Sequence, residues 1–215
     1  MHKSVYSLVL TDDVVEEIDH LAYEATTSRS NMINQILAEY VSYITPEKRM
    51  REVFDRIERM LTGGDVFQLL LQPSDSMFSL RSALSYKYNP TVRYSVELYQ
   101  NNVPLLGELR VSVRSQNSTL MLTMLQFFKL WTRIEQSYIG ATEYATEDGR
   151  YVRRFRCPRD GQIDNEAIGA AIAGYIDLFD HALKLYFENL TNPQYALNGV
   201  ERLYAEYVRN CEIIL

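Results

Sequence analysis

A chain of 215 residues with 47% hydrophobic and 23% charged residues can bury a sizeable core and lacks the composition of a long disordered segment. A formal charge of −6 argues against a protein that coats nucleic acid by charge alone, so any attraction to DNA has to be local. The chain has no membrane-span pattern and no secretory pattern, and Cys157 and Cys211 have neither metal-ligand nor redox spacing, so a cytoplasmic protein is expected.

Residues 4–10 alternate, with Tyr6, Leu8 and Leu10 on one face and Val5, Ser7 and Val9 on the other, which is the period of a strand. Thr11 followed by Asp12 and Asp13 reads as a helix start: a hydroxyl to cap free N–H groups, then carboxylates at the positive end of the dipole. Val14, Val15, Ile18, Leu21, Ala22 and Ala25 then form one apolar stripe, and the helix ends near Thr26 and Thr27. Ser28 caps a second helix with its own stripe, Met32, Ile33, Ile36, Leu37, Tyr40, Val41 and Ile44. A lone strand has nothing to pair with, and two short helices cannot cover their apolar stripes, so this unit is expected to dimerise.

Strand, helix, polar turn and helix within about forty residues, with the run TSRSNMI at residues 27–33, resembles the ribbon-helix-helix (MetJ/Arc-type) family of DNA-binding proteins. The resemblance covers residues 3–44. It implies an antiparallel ribbon, one strand from each subunit, lying in the major groove, with the second helix of each subunit anchoring a phosphate at its N-terminus. By position the base-facing residues are Val5, Ser7 and Val9. The phosphate contacts are Ser28, Arg29, Ser30 and Asn31, joined by Lys3. Residues 1–44 carry only Lys3 and Arg29 against seven carboxylates, which makes these two cations the local attraction. The chain departs from the family in two ways. Thr26 stands where the turn usually holds glycine, and threonine is a poor residue at positive φ, which favours a different turn. Two of the three groove-facing residues are valines, which can touch only a thymine methyl.

Thr45 and Pro46 restart a helix over residues 47–61, with Met50, Val53, Phe54, Ile57, Met60 and Leu61 on one side and mixed charges on the other. Gly63 and Gly64 end it. A short apolar piece and a polar loop follow, and the domain boundary is placed within residues 45–76. Three strands then alternate: Phe78, Leu80, Leu84, Tyr86 and Tyr88; Val92, Tyr94, Val96 and Leu98; Leu109, Val111 and Val113. Turns at Asn89-Pro90 and at residues 101–104 make them an antiparallel meander. The opposite face presents Arg81, Lys87, Arg93, Arg110 and Arg114 with Glu97 and Glu108, either as the solvated side of a two-layer domain or as a second anionic contact surface.

Asn117 or Ser118 caps a long helix to about residue 138, whose apolar side is the expected cover for the sheet. Residues 142–157 read as a hairpin turning at Asp148-Gly149. Its second arm carries Arg150, Arg153, Arg154, Arg156 and Arg159 interleaved with Tyr151 and Phe155. These either grip phosphate and stack on bases or pair with acids of the C-terminal helices. A helical hairpin over residues 165–189 and 194–211 closes the chain, with a small-residue patch at Gly169, Ala170, Ala173 and Gly174 that lets another helix approach.

The expected fold class is mainly α with α+β: a ribbon-helix-helix unit over residues 1–44, a helical linker region over 45–76, and an α+β domain over 77–215 that senses a ligand, binds a protein or extends the oligomer. No metal, cofactor or catalytic site is expected, since the sequence has no ligand cluster, glycine phosphate loop or nucleophile elbow. Asp177, Asp180, His181 and Lys184 each fall within one helical turn of the next and are read as the wet face of their helix. The expected function is a dimeric, sequence-specific DNA-binding protein, a transcriptional regulator whose partners are double-stranded DNA and a second copy of itself. The alternative is an interaction or scaffolding protein of a phage or mobile element that uses the N-terminal unit to dimerise.

Overall fold

The computed structural model describes residues 5–41, 43–70, 74–99, 105–140, 143–147, 149–156 and 164–215. The chain divides into two compact units, Met1–Arg49 and Met50–Leu215.

In the first unit α1 (Asp12–Glu24) and α2 (Arg29–Tyr40) close on a small core of Ile18, Ala22 and Met32, flanked by Ile33. Ser28 caps α2 through its side chain, which accepts the Asn31 N–H at 3.3 Å. Thr11 does not cap α1 in this way: its hydroxyl makes no cap bond, and only its carbonyl accepts, from the Val15 N–H at 3.1 Å. Residues 5–10 form no strand within the chain, and all six are exposed. The physical reason is the one that motivates dimerisation, since a lone segment has no ladder to join.

The second unit is an α+β mix. Its helices are α3 (Pro46–Leu61), whose first turn belongs to the first unit, α4 (Ser118–Ile139), α5 (Asn165–Glu188) and α6 (Pro193–Asn210). The strands are β1 (Phe67–Leu69), β2 (Met77–Ala83), β3 (Thr91–Leu98), β4 (Leu105–Val113), β5 (Tyr144–Glu147) and β6 (Arg150–Arg156). They form one antiparallel sheet in the order β1-β2-β3-β4-β6-β5. The meander and the hairpin are therefore one surface, joined where Leu109 faces Arg153 and Val111 faces Tyr151. α4 returns the chain so that the second arm of the hairpin lies beside β4 while the first becomes an edge.

Two local readings are corrected. The apolar piece after α3 is an edge strand, β1, paired with β2 through Phe67 and Ser82. The first long strand stops at Ala83, short of Tyr88. Tyr88 and Asn89 take positive φ values of 69° and 43° to turn into Pro90, and Tyr88 is exposed. On α3, Met50, Val53, Phe54, Ile57 and Leu61 are buried in the core of the second unit. The expected turn at 101–104, and Asp148 of the hairpin turn, lie outside the described residues, as do Lys3, Cys157 and Arg159.

The helices cover one face of the sheet. Phe54 of α3 stacks on Phe78 at 5.6 Å, and Phe179 of α5 meets Tyr94, Phe127, Trp131 and Tyr151 at 5.0–6.2 Å between centroids. α6 packs behind, with Tyr204 edge-on to Trp131 at 5.3 Å. Two glycines permit close approaches. A Cβ at Gly107, beside an irregularity in β4, would lie 2.2 Å from the Glu97 carbonyl, and one at Gly169 would lie 2.8 Å from the Val53 carbonyl. Gly169 of the small patch thus seats α3, while Gly174 faces Tyr207 of α6.

Candidate nucleic-acid interface

The N-terminus of α2 is built from Ser28 to Asn31. Ser28 satisfies the N–H groups of Asn31 and Met32, leaving those of Arg29 and Ser30 at the open end of the helix, where an anion is favoured. All four side chains are exposed. Arg29 is not an unbound cation, however. Its Nε donates to Asp19 Oδ1 at 2.6 Å and its Nη2 to Asp19 Oδ2, a two-pronged grip from α2 onto α1. The hydrogen bond from Arg29 holds the Asp19 carboxyl below its usual range, and Arg29 is raised in return.

The turn before it departs from the expectation drawn from its sequence: Thr26 adopts φ 50°, so the left-handed conformation is made by threonine where glycine would be easier. Val5 and Val9 are fully exposed, and Tyr6 and Leu8 on the other side of the segment are 82% and 58% exposed. Val14, Leu21, Ile36, Leu37, Tyr40 and Val41 are exposed as well. Most of the apolar side of this unit is therefore uncovered within one chain.

The basic hairpin arm splits by the strand period. Tyr151, Arg153 and Phe155 point into the helix-covered core, while Arg150, Arg154 and Arg156 point outward. Arg153 is the correction to the expected anionic contact. It is 1% exposed, and its Nε donates to Glu135 Oε1 at 2.6 Å, so it cannot meet a phosphate on the surface. Interleaving in sequence becomes separation in space, because successive strand residues face opposite ways. Neither reading of this arm holds as a whole. The acids on Arg154 and Arg156 lie on the sheet side of the hairpin: Glu143 accepts from Arg156 and, at 3.3 Å, from Arg154, and Glu108 of β4 lies 3.9 Å from Arg154. Arg156 and Arg154 hold the Glu143 carboxyl below its usual range.

The outer sheet face is a cross-strand polar network. Arg110 Nη2 meets Glu97 at 2.9 Å and Glu108 at 2.5 Å, and the Tyr99 hydroxyl donates to Glu108 at 2.6 Å. Arg81 and Arg93 face each other in register and donate to neutral partners, Gln68 Oε1 at 3.0 Å and Ser95 Oγ at 3.2 Å. Of the arginines on this face, those two are the ones whose described partners are uncharged.

No family model matches the chain, and no curated protein or solved structure does.

Two buried polar clusters were not anticipated. Asp180, expected on the wet side of α5, is fully buried. It accepts from Ser82 and, at 2.9 Å, from Tyr94, and Lys184 Nζ lies 2.6 Å from its other oxygen. Its spacing from Ile176 and Leu183, four and three residues away, is the signal that it shares their apolar stripe. His181 and Asp177 stay outside, 3.3 Å apart. The second cluster centres on Glu135, whose Oε2 accepts from Tyr151 and Tyr175, each at 3.1 Å, while Trp131 Nε1 donates to the Tyr175 oxygen at 2.8 Å. Glu135 follows Trp131 by four residues, which is the signal that sets it inside. Among the described residues no group of His, Cys, Asp and Glu is placed to hold a metal, and no helix is long and apolar enough to cross a membrane.

Proposed function

We propose that this chain is a dimeric, sequence-specific DNA-binding protein of the ribbon-helix-helix type, acting as a transcriptional regulator. The observation that carries the reading is the uncovered apolar side of the first unit. Tyr6, Leu8 and Leu10 share a face of an unpaired segment, and Leu21, Ile36, Leu37 and Tyr40 stand exposed on the helices that follow. An intermolecular ribbon and a second pair of helices would remove this surface from water. At about 25 cal/mol per Å² of apolar area, that burial is the natural driving force for association. The other face of the ribbon, Val5, Ser7 and Val9, then lies outward toward the groove.

Thr26 supports the same reading. The left-handed turn between α1 and α2 is kept although the residue there disfavours it. Arg29 and the α2 N-terminus supply a phosphate contact, one on each subunit. The test is sedimentation of the full chain together with selection of bound fragments from random duplex DNA. A dimer that enriches one inverted or direct repeat is the expected result. A dimer that enriches nothing favours the scaffolding role, and a monomer at micromolar concentration overturns both.

A further inference from the structure

The outer face of the sheet is sorted by charge along its strands. Toward one end its cations are paired: Glu97, Glu108 and Arg154 face one another across β3, β4 and β6, and Glu97, Glu108 and Glu143 hold Arg110, Arg154 and Arg156. Toward the other end, one line across β1 to β4 reads Gln68, Arg81, Arg93 and Ser112. Arg81 there stands directly opposite Arg93, and neither has a carboxylate among its described partners. Arg114 follows β4 by one residue, beyond the Val92 and Val113 pair, and Lys87 lies in the turn from β2 into β3, so both stand exposed at this same end.

Like charges directly opposite on neighbouring strands destabilise a sheet. This pair is nonetheless held in place by neutral groups. Arg81 Nε donates to Gln68 Oε1 at 3.0 Å, while Arg93 donates to Ser95 Oγ through Nε at 3.2 Å and to Ser79 Oγ through Nη2 at 3.3 Å, the two hydroxyls lying 3.0 Å apart. Both terminal nitrogens of Arg81 and Nη1 of Arg93 are left without a partner among the described residues, on exposed side chains. Two guanidinium forks fixed side by side with free N–H groups are matched by an oxyanion that bridges them, and such an anion turns their repulsion into attraction.

We infer that Arg81 and Arg93, extended by Arg114 and Lys87, grip the phosphate backbone of double-stranded DNA without reading its bases. The inference rests on the DNA-binding reading for the identity of the anion and adds to it a contact on the second unit. Several unpaired cations on one open face suit a polyanion, whose phosphates they neutralise with release of counterions. Sheet faces that take single strands stack the bases on outward aromatic side chains, whereas Phe78 and Tyr94 of these two strands are buried against the helices on the covered face. What the outer face offers in this line is arginine, amide and hydroxyl, the chemistry of backbone contact. Arg150 is not counted with the group, since Glu147 faces it in register.

The test is binding of the full chain to a labelled random duplex, followed by fluorescence anisotropy at several salt concentrations. Arg81→Gln/Arg93→Gln should weaken binding about tenfold and lower the salt-dependence slope by roughly one per chain, the one phosphate that the pair shares. Lys129→Gln/Arg133→Gln removes the same charge from exposed positions of α4, in the layer that covers the opposite face, and should leave affinity within about twofold. Equal losses in the two variants would reduce the effect to net charge and overturn the inference. The unfolding midpoint of Arg81→Gln/Arg93→Gln should hold or rise, because a repulsion is removed; a lowered midpoint would make the pair a support of the sheet and overturn the inference. Displacement of the duplex by polyglutamate at equal charge, lost in the same variant, would assign the site to an acidic polypeptide instead. Duplex binding that falls in Arg29→Ala but not in Arg81→Gln/Arg93→Gln overturns this inference alone, whereas a wild-type chain that binds no duplex removes the DNA-binding reading and this inference with it.

Discussion

Arg29 and Asp19 join the two helices of the first unit by a two-pronged ion pair, the guanidinium Nε 2.6 Å from one carboxylate oxygen and Nη2 on the other. The residue best placed to meet a phosphate is thus restrained by a carboxylate that the phosphate would have to displace. Asp19→Asn should therefore strengthen binding to every duplex alike. Arg29→Ala should weaken it alike and lower the salt-dependence slope by roughly two per dimer, one phosphate for each subunit. Affinities for a selected site and for random duplex, each at several salt concentrations, check both. If Asp19→Asn leaves DNA affinity unchanged while Arg29→Ala lowers it, Asp19 does not compete with the phosphate.

On the proposed intermolecular ribbon, Leu8→Pro should abolish the dimer. A central ribbon strand cannot lose a ladder N–H, and proline removes one while also fixing φ. Sedimentation is expected to show a monomer, with circular dichroism retaining the signal of the second unit. An undiminished dimer would mean that the 5–10 segment is not the interface.

Thr26→Gly should stabilise the first unit by roughly 1 kcal/mol. Threonine at φ 50° carries the Cβ cost of the left-handed region, and glycine relieves it at some expense in unfolded-chain entropy. The thermal or denaturant transition of the first unit should move upward, whereas a downward shift would show that the threonine side chain contributes contacts worth more than the strain.

Much of this fold is legible in the residues, and the failures have physical causes. Ser28 and Asn117 are read as caps and act as caps, because that chemistry is local. The apolar side of α3 is read correctly by period, but whether a helix joins a core or links two units depends on contacts distant in sequence. Charge alone offers Arg153 either as a phosphate contact or as a partner for acids of the C-terminal helices, while its alternation with Tyr151 and Phe155 sets it on the core face, where its partner is Glu135 of α4. Asp180 is misread by the same weighting, and Glu135, for which the sequence reading made no expectation, likewise sits on an apolar stripe whose spacing calls for burial. The positive φ at Thr26 is not signalled by threonine itself; only the resemblance, which places a glycine at that position of the turn, points to it.

The Glu135–Arg153 pair should be costly to break from one side. Both side chains are 1% exposed, and removing the carboxylate leaves a buried guanidinium uncompensated. Glu135→Ala is expected to lose about 3–5 kcal/mol, with Glu135→Met/Arg153→Met recovering most of it if the volume repacks. Chemical denaturation of the three proteins measures this. A double variant as unstable as the single one would show that the tyrosine hydroxyls depend on Glu135 more than Arg153 does.

The buried phenols predict how the second unit fails in alkali. Burial, with nearby carboxylates adding to it, pushes Tyr94, Tyr151 and Tyr175 well above the ordinary value, the relevant acids being Asp180 for the first and Glu135 for the others. Partial burial and then the hydrogen bond to Glu108 push Tyr99 up to about 12. Each folded value lies above the unfolded one of about 10. The neutral phenols therefore contribute stability that is fully present below pH about 10 and is lost as the pH rises through the folded values. Below that point acidification does not touch this contribution. Absorbance near 295 nm, recorded with near-ultraviolet circular dichroism, should show these tyrosines ionising together with the loss of tertiary signal, in one cooperative step above pH 10. Tyr94→Phe should be tolerated poorly at neutral pH, because Asp180 then loses a buried donor and keeps only Ser82 and Lys184. Tyr99→Phe, at the sheet surface, should be nearly silent there. Ionisation of the buried phenols near pH 10 with native dichroism intact would contradict the packing of Tyr94, Tyr151 and Tyr175 around these two acids.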